Sequence, residues 1–352
     1  MSRERSAARN RLEFALYRLV RAGAGALGPR ALSRLGNAAG GAFLAASARR
    51  REILRFNLSL AFPEMSHDER RRMAREVARH FGRVSLDILR LQRLDREEFQ
   101  RSVTVDGEQH IAAAAERGRG IIYLAAHMGL WEVAALTVGL IRPETFLIVN
   151  RPLDNPLLEA EVAAFRSRFG NEPLGKRQIL RTILHHLSER GAVGFLVDQR
   201  VNPDVGVEVP FFGHPAWTHP ALARIVRKTR TPVVPVCALW EGPGRYQVSF
   251  FPPLLPDELT EAELEDLPLT RRFSEITEWM VRRRPEQWLW FHDRWRYLRL
   301  AEGSRPDGAP STIPPTVSRS EGVAGPGDDH FGNGNGHGHG DGRGSSSLTP
   351  NP

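Results

Sequence analysis

The stretch Gly120-Ile-Ile-Tyr-Leu-Ala-Ala126, followed by His127-Met-Gly-Leu-Trp-Glu132, decides the fold. Its first seven residues are almost continuously apolar. A strand that is apolar at successive positions is covered on both faces, as the strands of parallel sheets are. Trp131 to Leu140 then reads as a helix and Phe146 to Val149 as the next strand. The alternation extends both ways from there. Upstream, Val103 to Val105 is a short strand and Glu108 to Arg117 a helix. Downstream, helices are expected over Leu157–Phe169, Gln178–Glu189, Pro220–Thr229 and Arg271–Arg284. Strands are expected over Ala192–Val197, Val233–Leu239 and Tyr246–Phe251. Repeated strand–helix units with apolar strands predict an α/β fold with a mostly parallel central sheet flanked by helices.

Before this region, Arg70 to Leu91 carries Met73, Val77, Phe81, Val84, Ile88 and Leu91 at steps of three or four, the period of an amphipathic helix. Ser66 and Glu69 are placed as its capping box. Leu12 to Ala48 is rich in Leu, Ala and Gly with arginines at intervals. Its longest uncharged run, Leu35 to Ala48, is 14 residues, short of the roughly 20 that span a bilayer. Apolar faces with basic flanks at Arg49, Arg50 and Arg51 predict helices lying on a membrane surface, in a segment 1–48. Ala46-Ser-Ala48 has the shape of a signal cleavage site, but Asn37 and three glycines interrupt the run before it. Core helices are the plainer alternative. From 301 to 352 the chain is Gly- and Pro-rich with few large apolar side chains, the composition of a disordered tail. The globular body is thus 49–300.

The 352 residues carry a formal net charge of +8 and one cysteine. A single cysteine excludes an internal disulfide framework. Of the 49 basic residues only Lys176 and Lys228 are lysines. Residues 1–55 hold twelve arginines against Glu4, Glu13 and Glu52, so the remainder is close to neutral. A basic arm on a neutral body, with no helix-turn-helix or RNP signature, argues against nucleic acid as partner and for an anionic membrane.

His127 is the first polar residue beyond a buried strand, and active groups of open α/β sheets gather at such strand ends. Glu132 follows five residues later, about 500° around an ideal helix. The two can meet only if His127 sits in the loop and Glu132 in the first helical turns. Gly129 eases that turn. A carboxylate on one ring nitrogen would leave the other as a general base. A loop histidine satisfied by a neighbouring carboxylate is the structural alternative.

Further blocks follow in order: Asn150-Arg-Pro-Leu-Asp-Asn-Pro-Leu-Leu158, Arg166-Ser-Arg168, Asp198-Gln199-Arg200, Val209-Pro-Phe-Phe-Gly213, Pro232-Val-Val-Pro235, Arg284-Pro-Glu-Gln-Trp-Leu-Trp290 and His292-Asp-Arg-Trp295. With the histidine block they resemble the lysophospholipid acyltransferase superfamily over about residues 50–300. The branch is that of the late lipid A biosynthesis acyltransferases, the lauroyl and myristoyl transferases. Mycobacterial phosphatidylinositol mannoside acyltransferases are relatives. Met128 stands where the family usually has Phe, and Leu130 where it has Asn.

The resemblance implies an O-acyltransferase of the inner (cytoplasmic) membrane, with its site on the cytoplasmic face. His127 would be the general base and Glu132 its orienting carboxylate. The acyl chain would come from an acyl carrier protein or coenzyme A thioester, a co-substrate, with no cofactor and no metal. The acceptor would be a hydroxyl of a lipid A precursor-type glycolipid. A phosphatidylinositol mannoside, a lysolipid, or a lipid-binding role without catalysis are the alternatives. Arg166 and Arg151 would bind phosphate. Asp198 would hold Arg166 or contact a sugar hydroxyl, or else cap a turn. Phe211, Phe212 and Gly213 would shape an acyl pocket, or else form a core turn. No G-x-S-x-G elbow is present, and Cys237 reads as an inert core thiol.

Overall fold

A computed structural model describes residues 6–142, 144–150, 152–174 and 179–303. The strands are β1 Val103–Asp106, β2 Ile121–Ala125, β3 Phe146–Val149, β4 Asn171–Leu174, β5 Ala192–Leu196, β6 Val207–Phe211, β7 His214–Thr218, β8 Val233–Gly242 and β9 Arg245–Phe250. The helices are α1 Ala7–Ala26, α2 Pro29–Ala46, α3 Ala48–Ala61, α4 His67–Leu91, α5 Arg96–Ser102 and α6 Glu108–Ala115. They continue as α7 Trp131–Ile141, α8 Pro156–Arg166, α9 Ile179–Ser188, α10 Ala221–Thr229, α11 Asp266–Arg283 and α12 Arg296–Gly303.

Seven strands form one sheet in the order β1-β9-β8-β2-β5-β3-β4, and β6–β7 form a separate hairpin. Every pairing in the large sheet is parallel except β8 with β9. That pair is joined by a tight turn at Gly242–Gly244, too short for the crossover that a parallel pair requires. The apolar run of β2 divides between the two faces as expected of a doubly covered strand. Ile122 and Leu124 join one hydrophobic core, Ile121 and Tyr123 the other. Cys237 is buried in the first core, and burial pushes its thiol up to about 12.

α4 begins where its capping box says it should. Ser66 Oγ accepts from Glu69 N at 3.3 Å, and Glu69 accepts from Ser66 N at 2.7 Å. Two expectations are corrected in extent. The helix expected to run to Phe169 ends at Arg166 and tightens into a 3₁₀ turn in which Phe169 takes φ +61°. Residues 301–303 continue α12 instead of starting the tail. The rest of the expected tail, and Gln178, lie outside the described residues.

The N-terminal segment is not a free arm. α2 lies against α4 through Gly36, Gly40 and Gly82. A Cβ on Gly82 would stand 2.0 Å from the Gly36 carbonyl oxygen, and one on Gly40 would stand 2.0 Å from that of Ala78. α1 is docked by Asn155 Nδ2, which donates to Asn10 O and to Glu13, each at 3.0 Å. Arg21 pairs with Glu161 on α8. Yet Leu12, Leu16 and Leu19 of α1 are 72%, 60% and 71% exposed. No helix among the described residues is long and apolar enough to cross a membrane.

Candidate active site

β2 and β5 are parallel neighbours, with Ala125 level with Leu196. Two residues beyond each strand end come His127 and Asp198, so the register alone carries them to the same height. Asp198 Oδ1 accepts from His127 Nδ1 at 2.8 Å, and Oδ2 accepts from the His127 backbone N–H at 2.9 Å. A third donor comes from far along the chain: the Trp288 indole N–H reaches Asp198 Oδ2 at 2.7 Å. Burial alone would raise the Asp198 pKa. The His127 ring and these donors outweigh it and hold the carboxyl down at about 2. On His127, burial favours the neutral ring, but Asp198 and more distant Glu132 prevail over it and over Arg166, and its pKa is raised.

With Nδ1 engaged as a donor, Nε2 is left as the basic nitrogen. It faces the Gln199 amide nitrogen at 3.2 Å, and the ring stands edge-on to Trp131 with centroids 5.0 Å apart. The loop holding His127 is clamped from below and above. Gly129 takes φ +58°, and a Cβ there would lie 1.8 Å from the Ala238 carbonyl oxygen. The segment Pro285–Trp290 crosses over the loop. Leu289 N donates to His127 O at 2.9 Å, and Gly129 N donates to Gln287 O at 2.8 Å. Asn57 on α3 anchors this strap through the carbonyls of Trp290 and His292, both at 2.8 Å.

The expected Glu132–His127 bond is corrected: the ring's carboxylate partner is Asp198. Glu132 opens α7, and its carboxylate instead takes Arg166 from the end of α8. Nε lies 3.1 Å from both carboxylate oxygens and Nη2 lies 2.5 Å from one. Asp198 accordingly does not hold Arg166, which was one of its expected roles. The reason is geometric. His127 is level with the end of β5, whereas Glu132 has turned toward β3 and α8 by the time its helix begins. Asn150, at the end of β3, accepts from Arg166 at 3.1 Å with its amide turned to satisfy both its groups. Arg151 lies outside the described residues.

Phe211, Phe212 and Gly213 form a core turn, the other reading of that block. Phe212 and Gly213 make the two-residue β6–β7 turn at φ +50° and +76°. Both phenylalanines are buried among Trp288, Trp290 and Trp295. Phe212 N donates to Glu278 at 2.6 Å. Arg294, also buried, donates to Trp217 O at 2.8 Å and to Thr218 Oγ1 at 2.5 Å, tying this hairpin to the strap. Burial brings its pKa down to about 10.

Two cavities lie near the His127 loop, one against the strap and one against the start of α7. The larger, about 580 Å³, is walled by Phe43 of α2, Phe81 and Leu86 of α4, and Leu289, Phe291 and His292 of the strap. The smaller, about 60 Å³, runs between α7 and the sheet, with Glu132, Asn150 and Arg166 among apolar residues such as Tyr123, Phe146 and Val236. No group of three or more His, Cys, Asp or Glu placed to hold a metal ion occurs among the described residues. Sequence reasoning missed the roles of Gln199 and Trp288. Both lay in quoted blocks, but nothing in their spacing links 198 to 288.

A histidine held by one ring nitrogen near an apolar cavity, with a buried arginine–carboxylate pair close by, is an arrangement compatible with acyl transfer. Known proteins agree. Residues 3–297 match the family described as bacterial lipid A biosynthesis acyltransferase. The chain is 29% identical over 284 residues to a lipid A biosynthesis lauroyltransferase of Escherichia coli, covering 79% of this chain and 87% of that protein. It is 28% identical over 260 residues to the lipid A biosynthesis myristoyltransferase of the same organism, covering 74% and 78%. The E. coli palmitoleoyltransferase is 25% identical over 260 residues, covering 73% and 82%. The chain is an acyltransferase and belongs to the bacterial lipid A biosynthesis acyltransferase family.

Proposed function

We propose that this enzyme moves a fatty acyl chain from a carrier thioester to a hydroxyl of a lipid A precursor-type glycolipid, with His127 Nε2 as the general base. The observation that carries this reading is the His127–Asp198–Trp288 chain of hydrogen bonds, which leaves one basic nitrogen at the end of the sheet. The acceptor hydroxyl gives its proton to Nε2 as its oxygen attacks the thioester carbonyl. The new C–O bond forms, the C–S bond breaks, and the imidazolium returns the proton to the departing thiolate. Asp198 stabilises the imidazolium between those steps. The Gln199 amide, 3.2 Å from Nε2, stands where the acceptor hydroxyl must come and gives way to it. No cofactor is required, because the thioester is already activated. The apolar cavity of about 580 Å³ is large enough for a hydrocarbon chain.

The relatives' names support a glycolipid acceptor and differ among themselves in acyl chain. The donor carrier is an acyl carrier protein or coenzyme A. The exposed leucines of α1 support attachment to a membrane surface, and we place it on the cytoplasmic face of the inner membrane, where a carrier thioester would be at hand. Purified protein given an acyl thioester and a glycolipid acceptor should release free carrier thiol. His127→Ala should lower that turnover by roughly 10² or more, the contribution of a general base. Turnover equal to that of the parent would overturn the assignment.

A further inference from the structure

A third cavity lies away from the His127 loop, on the outer side of α3 and α4. It is a groove of about 450 Å³ lined by Arg51, Arg55 and Ser59 of α3 and by His67, Arg70, Arg71 and Arg75 of α4, over Leu44, Leu54, Phe56 and Ala74. The spacing explains the concentration of charge. Arg51, Arg55 and Ser59 recur every four residues, as do His67, Arg71 and Arg75, so each helix turns one basic face into the groove. Like charges four apart on a helix repel, so the arrangement is unfavourable unless something negative lies between them.

Some of this charge is spent internally. Arg51 donates to the last carbonyls of α2, Arg70 to Phe62 O at 3.3 Å, and Arg71 pairs with Asp68 at 2.7 Å. Arg55 and Arg75 have no carboxylate partner among the described residues, and both are exposed. The walls are cationic and the floor is apolar. Leu44, Leu54, Phe56 and Ala74 supply the apolar part of the groove, and Phe43, the neighbour of Leu44, belongs to the other cavity.

We infer that this groove binds the phosphate-bearing headgroup of an anionic membrane lipid, with Arg55 and Arg75 as the principal contacts. The size decides between a lipid and an acidic protein. A protein partner covers a broad face, whereas about 450 Å³ matches a small-molecule site. The apolar floor of Leu44, Leu54, Phe56 and Ala74 suits the glycerol and upper chain of the same lipid. The inference rests on the membrane-surface placement proposed above, and extends it from a general attraction to a defined headgroup site.

The test uses the full chain and sedimentation with vesicles of phosphatidylcholine alone or mixed with phosphatidylglycerol. Arg55→Ala/Arg75→Ala should weaken the phosphatidylglycerol-dependent binding roughly tenfold or more, given about a factor of five to ten per basic residue at an anionic surface. Arg55→Lys/Arg75→Lys should retain most of it. Arg271→Ala/Arg272→Ala, with the same loss of charge on α11, should change it about twofold at most. Melting curves matched to the parent confirm that the variants fold. An equal loss in both alanine pairs would mean diffuse attraction and overturn the site. So would weaker use of an acyl carrier protein donor with vesicle binding unchanged. So would thermal stabilisation by inorganic phosphate that depends on Arg55 and Arg75 while vesicle binding does not. Binding of the parent to phosphatidylcholine alone reads the apolar face separately, so failure there would strike the membrane placement and not the groove.

Discussion

Asp198 does something that its sequence position hid: it engages Nδ1 of His127 and leaves Nε2, the base of the proposed mechanism, as the basic nitrogen. Because Asp198 raises the His127 pKa, the base becomes free only as pH rises through that raised value. Asp198→Asn should therefore shift the acidic limb of kcat/KM to lower pH while cutting its plateau by about 10². A pH–rate profile for parent and variant measures both effects, and an unmoved limb would deny the coupling. Asp198 also affects folding. Its folded pKa, about 2, lies below its ordinary 3.8. Its stabilising contribution is therefore present above about pH 4 and is lost as pH falls toward 2. Glu132 and Arg166 are a different kind of pair. Their side chains are only 7% and 18% exposed, so removing either one leaves a buried charge without its partner.

At the scale of elements, the α2–α4 contact leaves no room for a side chain at Gly36, Gly40 or Gly82. Gly82→Val would drive a branched side chain into the Gly36 carbonyl and should cost about 1–3 kcal/mol, read by urea unfolding. An unchanged midpoint would mean the helices part without penalty. The apolar parallel strands β2, β3, β5 and β8, α4 with its cap, and α7 were legible because period and apolarity report burial directly. What escaped detection has physical reasons. β4 is Asn-Glu-Pro-Leu at the sheet edge, and proline there hides a strand signal. The prolines of β6 and β7 did the same for the hairpin. His127 was found because it ends a buried strand. Its true partner was not, because pairing across β2 and β5 depends on register, and register is a property of two strands that one-dimensional spacing does not contain.

Across the whole molecule, the basic N-terminal segment divides into two functions that composition merged. α2 and α3 are structural walls, while α1 presents leucines outward. Deleting the segment would strip α4 of its cover, so substitution is the sharper test. Leu12→Gln/Leu16→Gln/Leu19→Gln should keep the fold and reduce binding to neutral vesicles by roughly 10², at about 1 kcal/mol per leucine removed from the interface. Flotation measures this, and unchanged partitioning would move the attachment elsewhere. The strap has a consequence in time. A chain synthesised as far as residue 284 already holds every strand and the His127 loop. It still lacks the indole that braces Asp198 and the carbonyls that Asn57 grips. The setting of His127 is therefore completed last, when the strap from near the end of the described chain closes onto α3. A ribosome-bound or truncated chain would have a sheet but no trained histidine, so activity itself would report that synthesis had reached the end of the body.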